Sequence, residues 1–259
     1  MNTPAQGKLY LVPAPLDFGC DVQAPLEDVM PLGTLKIAAT LPCWICENAK
    51  STRAYLKRIN DLQPLSAPVQ SLQIQELPRE VHKKGDHSGH FDARPLLLAA
   101  MDERNPGKQV GLVSEAGMPA IADPGSSVVR AAHDLGMQVI PLTGPMSLML
   151  ALSASGLNGQ NFAFVGYLPQ ESGERTQRIR ALESIALKTG QTQIFIETPY
   201  RNAALLQALL QTLQSNTRLA LGCGLTLEAG WSYSAQVSQW KKQKPGAPLG
   251  LPTVFCMGR

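Results

Sequence analysis

The fold is decided by the stretch QVGLVSEAGMPAIADPGSSVVRAAHDLGMQVIPL, residues 109–142. The apolar runs at its two ends, QVGLVS and QVIPL, are typical of buried strands. The segment between them predicts a helix, with Asp123 as its N-cap, Pro124 at its first position and Gly136 just after its end. A strand, a helix and a strand within about 30 residues form a βαβ unit, in which the strands pair in parallel. The stretch therefore predicts a parallel sheet.

The same alternation of strands and helices extends toward the amino terminus. Two further apolar runs predict strands of the same sheet, namely KLYLVP at residues 8–13 and CWICE at residues 43–47. After residue 142, the turn Thr143-Gly144-Pro145 opens an apolar helix. Turns that follow the strands of a parallel sheet are where α/β proteins bind ligands. We therefore predict an open, mainly parallel α/β domain over residues 1–144.

The carboxyl-terminal half continues the alternation with shorter connections. Predicted strands lie at residues 162–168, 192–197, 218–227, 233–237 and 253–257. The segments that join the last of these strands are too short for helical crossovers, so some of the pairing is expected to be antiparallel. The sequence thus predicts a second α/β domain, with a mixed sheet, over residues 145–259.

The composition indicates a globular protein with an uncharged surface. Hydrophobic residues make up 44% of the 259 residues, which is enough for a sizeable core. Charged residues make up only 17%, below the usual ~25%, so much of the surface must be neutral. The net charge of +3 neither demands nor forbids a nucleic-acid partner.

The expected location is the cytoplasm. No apolar run approaches the ~20 residues that a membrane span needs. The amino terminus lacks the basic start and long apolar run of a signal peptide. The chain has 5 cysteines, an odd number that fits reduced thiols inside a cell. We therefore expect no membrane association.

No metal site is predicted. The motif CWIC at Cys43–Cys46 has no second CxxC or histidine pair at zinc-site spacing, so its cysteines are interpreted as core residues. The polar tract of residues 78–91 contains metal-ligating residue types and is interpreted as a mobile surface loop. They are His82, His87 and His90, with Asp86 or Asp92 nearby.

Two basic groups are open to two interpretations. They could contact phosphates, or they could be solvated faces that need no ligand. The groups are Arg175, Arg178 and Arg180, and Lys241, Lys242 and Lys244.

Three predicted strand-to-loop junctions share an unusual content of small residues and proline. They are VPAPL at residues 12–16, SEAGMP at residues 114–119 and TGP at residues 143–145. Tight turns of this kind expose backbone N–H and C=O groups, which suit a ligand with an adenine-like edge, hydroxyls or a carboxylate. Neither GxGxxG nor a phosphate-binding P-loop follows these strands, so a dinucleotide or nucleoside-triphosphate site is unsupported.

The junctions taken in order resemble a known family. KLYLVPAPL, LVSEAGMPAIADPG, PLTGPMSLMLALSASG, FVGYLP and IFIETPYR resemble the tetrapyrrole methylase superfamily. Within it they are most similar to the ribosomal RNA small-subunit methyltransferase I branch, which methylates a ribose 2′-hydroxyl. The resemblance covers nearly the whole chain. It implies two α/β domains, S-adenosylmethionine in the cleft between them, a homodimer, and ribosomal RNA or the small ribosomal subunit as partner.

The resemblance also implies which residues serve the reaction. A nearby general base would activate a ribose hydroxyl, and Glu47, Glu115 and Glu197 are the carboxylates at motif positions. The residues expected to bind the donor are Pro13, Ser114, Glu115, Ala116, Gly117, Ile121, Ala122, Gly144, Pro145 and Met146, with Tyr200 from the second domain.

The chain departs from the ribosomal branch at several motif positions. Leu16-Asp17-Phe18 stands where the branch usually has Ile-Gly-Asn, and Glu115 replaces an aspartate. We therefore keep two alternatives to an RNA methyltransferase. One is a methyltransferase for a tetrapyrrole, and the other is a degenerate protein that binds S-adenosylmethionine without catalysis.

Overall fold

The computed structural model describes residues 7–78, 80–81, 86, 91–242 and 248–259. It separates into two compact units. The first unit comprises the chain up to Gly19 together with Gln23–Pro145, and the second comprises Cys20–Val22 together with Met146–Arg259. Each unit is built around its own five-stranded sheet.

The first unit contains a parallel sheet. Its strands are β1 (Lys8–Leu11), β2 (Cys43–Cys46), β3 (Gln73–Glu76), β4 (Gln109–Val113) and β5 (Gln138–Pro141). Their order across the sheet is β3-β2-β4-β1-β5, and every neighbouring pair is parallel. The helices are α1 (Leu26–Val29), α2 (Leu32–Thr40), α3 (Ala49–Leu62), α4 (Arg94–Ala100) and α5 (Ser126–Asp134). The predicted open parallel α/β architecture is confirmed.

The βαβ unit of β4, α5 and β5 forms as predicted, but its helix begins differently. Gly136 has the predicted positive φ, 69°, after the helix. The prediction of Asp123 as N-cap is wrong, because α5 begins at Ser126 and its N-cap is Gly125, with φ of 137°. Asp86, which is distant in the sequence, supplies the missing cap.

Strand β2 explains the cysteine pair. All four of its residues are buried, and Cys43 and Cys46 are free thiols. Burial raises the pKa of Cys46 to about 11, which keeps the thiol protonated and unreactive. The interpretation of these cysteines as core residues is confirmed. Gly111 on the neighbouring β4 leaves room for Trp44, since a Cβ at Gly111 would lie 2.7 Å from its Cε3.

The second unit contains a mixed sheet. Its strands are β6 (Phe162–Tyr167), β7 (Thr192–Glu197), β8 (Arg218–Cys223), β9 (Trp231–Gln236) and β10 (Thr253–Gly258), in the order β6-β7-β10-β8-β9. Only the β6–β7 pair is parallel. The helices are α6 (Ser147–Ser155), α7 (Ser172–Thr189), α8 (Asn202–Thr212) and α9 (Val237–Lys242). The predicted antiparallel pairing is confirmed.

The core of the second unit follows from its apolar periodicity. The leucines of α8 are buried in one cluster, namely Leu205, Leu206, Leu209 and Leu210, together with Leu213 just after its end. Phe195 and Phe255 stack across β7 and β10 with ring centroids 5.7 Å apart. Removing a methylene from such a core costs roughly 1 kcal/mol, so this packing stabilises the unit strongly.

The elements missing from the prediction are weakly patterned. Strand β3 lies at the edge of the sheet and has the sequence QIQE. Its polar residues are not typical of a strand, so the sequence does not predict it. Helices α1, α2 and α4 are short, and α1 and α2 each begin after a proline. No helix in the described part of the chain is long and apolar enough to cross a membrane.

Candidate functional site

Three loops meet at the carboxyl edge of the first sheet, because they follow the neighbouring strands β4, β1 and β5. The loops after β1 and β4 pair directly. Ala14 N–H donates to the Gly117 carbonyl and Gly117 N–H donates to the Ala14 carbonyl, both at 2.9 Å. This pair holds the two predicted donor loops side by side.

The loop after β5 packs against the loop after β1. A Cβ at Gly144 would lie 2.3 Å from Pro13 Cγ, so only glycine allows this approach. Thr34 Oγ1 donates to the Thr143 carbonyl at 2.6 Å, and the Tyr55 hydroxyl donates to the Pro13 carbonyl at 2.9 Å. Both loops are therefore anchored to helices of the same unit.

The loop after β4 carries strained backbone. Ala120 and Ala122 have φ of 64° and 65°, a region that side chains other than glycine rarely adopt. Each such residue costs about 1–3 kcal/mol and persists only when its surroundings enforce it. Strain of this kind is typical of ligand-binding segments, and both residues lie within the predicted donor loop.

Asp86 fixes the far end of this strained loop. Its Oδ2 accepts hydrogen bonds from Gly125 N, Ser127 N and Ser127 Oγ, at 2.7–2.8 Å, and its Oδ1 accepts one from Ser126 Oγ at 2.8 Å. Burial alone would raise the pKa of Asp86, but these hydrogen bonds hold it below its ordinary value. Asp86 thus caps α5 from 41 residues away. Because Asp86 is buried and held by these hydrogen bonds, the interpretation of its tract as a mobile surface loop is wrong at this residue.

Ser114 and Glu115 stand at the end of β4. Ser114 is only 5% exposed, and its Oγ has no hydrogen-bond partner among the described residues. A buried hydroxyl without a partner costs about 1–3 kcal/mol, which a ligand can recover. Glu115 Oε1 accepts a hydrogen bond from Ser51 Oγ at 3.1 Å, so the first turn of α3 orients this carboxylate.

Asp123 is the acidic residue that the sequence interpretation missed. Burial, followed by repulsion from Glu47 and Glu115, raises its pKa to about 7. Glu47 and Glu115, two of the three predicted carboxylates, thus act electrostatically on Asp123. In the sequence, the only feature that marks Asp123 is its acidic side chain, which also fits the predicted helix cap.

Glu197, the third predicted carboxylate, is already paired. Its Oε1 accepts hydrogen bonds from Thr198 N at 2.7 Å and from Arg201 Nη2 at 2.7 Å. Tyr200 is 81% exposed, and the Arg201 guanidinium carbon lies 5.4 Å from its ring centroid. Glu197 therefore serves to hold the turn after β7.

The predicted donor residues divide between the two units. Met146 and Tyr200 belong to the second unit, and Ile121 and Ala122 are exposed in the first. The remaining predicted residues lie in the three loops of the first unit, namely Pro13, Ser114, Glu115, Ala116, Gly117, Gly144 and Pro145.

The other candidate groups are mostly exposed where they are described. Arg178 and Arg180 are exposed on α7, and Lys241 and Lys242 are exposed at the end of α9. Arg175 is half-buried, and its Nη1 donates to the Gln170 carbonyl at 3.2 Å. No group of three or more potential metal ligands occurs among the residues that the structure covers. Lys244 and the histidine tract of His82, His87 and His90 lie outside the described residues.

The parallel sheet with its three-loop edge and the mixed second sheet define a class of proteins. A family model described as Tetrapyrrole (Corrin/Porphyrin) Methylases matches residues 33–236, and the chain belongs to this family.

Solved structures with this fold align with nearly the whole chain. The uroporphyrin-III-C-methyltransferase from Thermus thermophilus has a TM-score of 0.52 at 17% identity, covering 98% of this chain and 94% of its own. The methyltransferase CobJ has a TM-score of 0.54 at 14% identity, covering 98% of this chain and 93% of its own. These likenesses concern the fold.

Sequence relatives have a more particular name, Ribosomal RNA small subunit methyltransferase I. The relative from Mesorhizobium japonicum is 32% identical over 86% of this chain and 65% of its own length. The one from Escherichia coli O157:H7 is 30% identical over 98% of this chain and 79% of its own. The one from Bacillus subtilis is 32% identical over 80% of this chain and 60% of its own length. The chain thus spans three fifths to four fifths of these relatives, and the predicted resemblance is confirmed.

Proposed function

We propose that this protein is an S-adenosylmethionine-dependent methyltransferase that methylates ribosomal RNA at a ribose 2′-hydroxyl. Its family and its similarity to the ribosomal RNA small subunit methyltransferases support this function. The observation that carries the proposal is the carboxyl edge of the first sheet, where a strained, anchored loop lies beside a group of mutually repelling carboxylates.

The residues at this edge fit the donor. Gly144 and Gly117 keep the loops open to backbone contacts, since a side chain at Gly144 would collide with Pro13. The buried Ser114 hydroxyl without a partner suits a polar group of the donor or of the acceptor. Pro145 and the backbone of Ala116 complete the residues that we expect to hold the donor in this unit.

The chemistry then requires alignment and a base. S-adenosylmethionine supplies an electrophilic methyl group, so the protein's main contribution is to orient the acceptor hydroxyl. A ribose hydroxyl is a poor nucleophile, and a carboxylate that takes its proton typically contributes 10²–10⁴-fold. We propose Asp123 for this role, because it directly follows the predicted donor residues Ile121 and Ala122 in the loop after β4. Burial, followed by repulsion from Glu47 and Glu115, raises its pKa to about 7, which suits proton transfer near neutral pH.

The test is methyl transfer from labelled donor to small ribosomal subunits isolated from a strain that lacks the protein, followed by mass mapping of the RNA. We expect one labelled ribose. Label in a carboxylated tetrapyrrole instead would favour the alternative methyltransferase. Donor binding without transfer to either acceptor, at a single turnover, would favour the degenerate donor-binding protein.

We further infer that the protein works as a homodimer in the cytoplasm. Charged residues make up only 17% of the chain, which leaves apolar surface that a two-fold interface would cover. The free cysteines suit the reducing conditions of the cytoplasm. Light scattering at micromolar concentration should give about twice the 27.9 kDa of one chain. A mass of one chain across that range would exclude the dimer.

A further inference from the structure

A cavity of about 200 Å³ opens beside the carboxyl edge of the first sheet. The segment that follows β1 forms one wall, α3 forms the other, and Ser114 and Glu115 at the end of β4 form its inner end. Gly117, Gly144 and Pro145 do not line it, so it lies apart from the glycine-lined part of the proposed donor site. Pockets for drug-sized ligands measure about 300–1,000 Å³, so this smaller one suits a ligand no larger than a single nucleoside.

The cation of the cavity is already paired with a carboxylate. Arg58 is the one cation among the described residues that line it. Its Nη1 and Nη2 donate to the two carboxylate oxygens of Asp17 at 3.1 and 3.0 Å, and Nη2 also donates to the Ala24 carbonyl at 2.7 Å. Asp17 is buried, so this pair is fixed. A phosphate or a macrocycle with several carboxylates would find no uncommitted cation here.

The inner end of the cavity suits a hydroxyl. Ser114 Oγ is buried and lacks a partner among the described residues, and a serine hydroxyl both donates and accepts. Glu115 lies next to it and is an acceptor oriented by Ser51. A ligand hydroxyl that bonds to both side chains would satisfy the buried serine.

The outer wall carries an exposed aromatic ring. Phe18 is 46% exposed although it lines the cavity. Aromatic side chains that are presented in this way bind unpaired nucleobases by stacking, which contributes about 1–3 kcal/mol per base. Phe18 also lies in the Leu16-Asp17-Phe18 stretch, where this chain departs from the ribosomal branch.

We propose that this cavity is the acceptor pocket, and that it receives one nucleoside splayed out of single-stranded RNA. The base stacks on Phe18, and a ribose hydroxyl reaches Ser114 and Glu115. The inference rests on the proposed function and adds to it the residues that select a neutral nucleoside over a carboxylated macrocycle. RNA recognition commonly targets such unstacked nucleotides.

The test compares Phe18→Ala with Phe162→Ala, which removes a phenylalanine of similar exposure, 40%, from the second unit. Methyl transfer to small ribosomal subunits from the deletion strain is measured at saturating donor, and donor affinity is measured by calorimetry. We expect Phe18→Ala to raise KM for subunits about five- to hundredfold, with kcat and donor affinity unchanged. Phe162→Ala should match the unaltered protein, and Phe18→Tyr should restore KM.

Three results would overturn the inference. The same KM for Phe18→Ala and the unaltered protein would exclude stacking in this cavity. Inhibition by a porphyrin octacarboxylate that Phe18→Ala relieves would assign the cavity to macrocycles. Loss of donor binding in Phe18→Ala would make the ring part of the donor site. If the unaltered protein binds no donor or transfers no methyl group to subunits, the proposed function itself fails and the acceptor pocket fails with it.

Discussion

The carboxylates near the ends of β4 and β7 have opposite surroundings. In the loop after β4, Asp123 is partly buried beside Glu47 and Glu115, and its pKa is raised to about 7. At the end of β7, Glu197 accepts two hydrogen bonds from the Arg201 guanidinium, at 2.7 and 3.0 Å. The first arrangement disfavours the ionised form of Asp123, and the second pairs the Glu197 carboxylate with a guanidinium.

The difference separates a group that can exchange a proton from a group that holds structure. A general base works best when its pKa lies near the working pH, which Asp123 satisfies. Glu197 has its charge compensated within four residues, so its role is to fix the turn. Perturbed carboxylates beside a ligand-binding loop are typical of functional sites.

The largest expected effect is on the rate of methyl transfer. Asp123→Asn should lower the single-turnover rate by about 10²–10⁴-fold, because the amide cannot take the proton of the acceptor hydroxyl. Glu197→Gln should change this rate less than about threefold, since Glu197 serves only the turn. The rate of the unaltered protein should rise with pH up to about 7, as Asp123 ionises.

Circular dichroism and donor calorimetry would control for folding in both variants. Similar rates for Asp123→Asn and the unaltered protein would move the base to Glu47 or Glu115. A large loss of rate in Glu197→Gln alone would make Glu197, and not Asp123, the group that takes the proton.

The second effect is on donor binding by the loops at the carboxyl edge of the first sheet. Gly144→Ala places a methyl group 2.3 Å from Pro13 Cγ, so the two loops must separate. Overpacking of this kind costs about 1–3 kcal/mol of folding free energy. Because the separated loops no longer hold the donor, we expect donor affinity to fall by about tenfold or more in calorimetry. Gly159→Ala is the matched control, because its Cβ would meet nothing within 4 Å. Equal affinities for the two variants would remove Gly144 from the donor site.

The third effect is the dependence of stability on pH. The folded pKa of Asp123, about 7, lies above its ordinary value of 3.8, so the folded state binds more protons between these values. The Asp123 contribution to stability is therefore full below about pH 4 and is lost as pH rises to about 7. Asp123→Asn should be more stable than the unaltered protein at pH 8, by on the order of 1–3 kcal/mol, in urea unfolding.

Glu197→Gln should show the opposite sign, because it removes the charge that pairs with the Arg201 guanidinium. A gain of stability in both variants, or in neither, would contradict the assigned surroundings.

The smallest effect concerns the basic groups of the second unit. If RNA phosphates contact Lys241, Lys242 and Lys244, replacing all three with Gln should flatten the log–log salt dependence of RNA binding by about 0.7 per contact. Donor affinity should not change. Replacing the exposed Lys188 of α7 with Gln provides a control for loss of charge. Identical salt slopes for the triple variant and the unaltered protein would leave these lysines as a solvated face.

The local structure of the chain is determined largely by its sequence. Apolar runs of four to six residues, with glycine and proline between them, predict the strands, because these patterns act within a few residues. The leucine period of α8 and the positive φ of Gly136 follow in the same way. The motif order around Ser114 and Gly144 also indicates the family. The Glu197–Arg201 pair is only four residues apart, so its spacing is already visible in the sequence.

The environment of each side chain is decided by tertiary structure. Asp86 caps α5 from 41 residues away and replaces the predicted cap Asp123. Burial of Asp123, followed by repulsion from Glu47 and Glu115, raises its pKa. The cavity walls come likewise from segments that are distant in the chain. Burial and Coulomb repulsion depend on distance in space, and the order of strands in the sheet sets that distance.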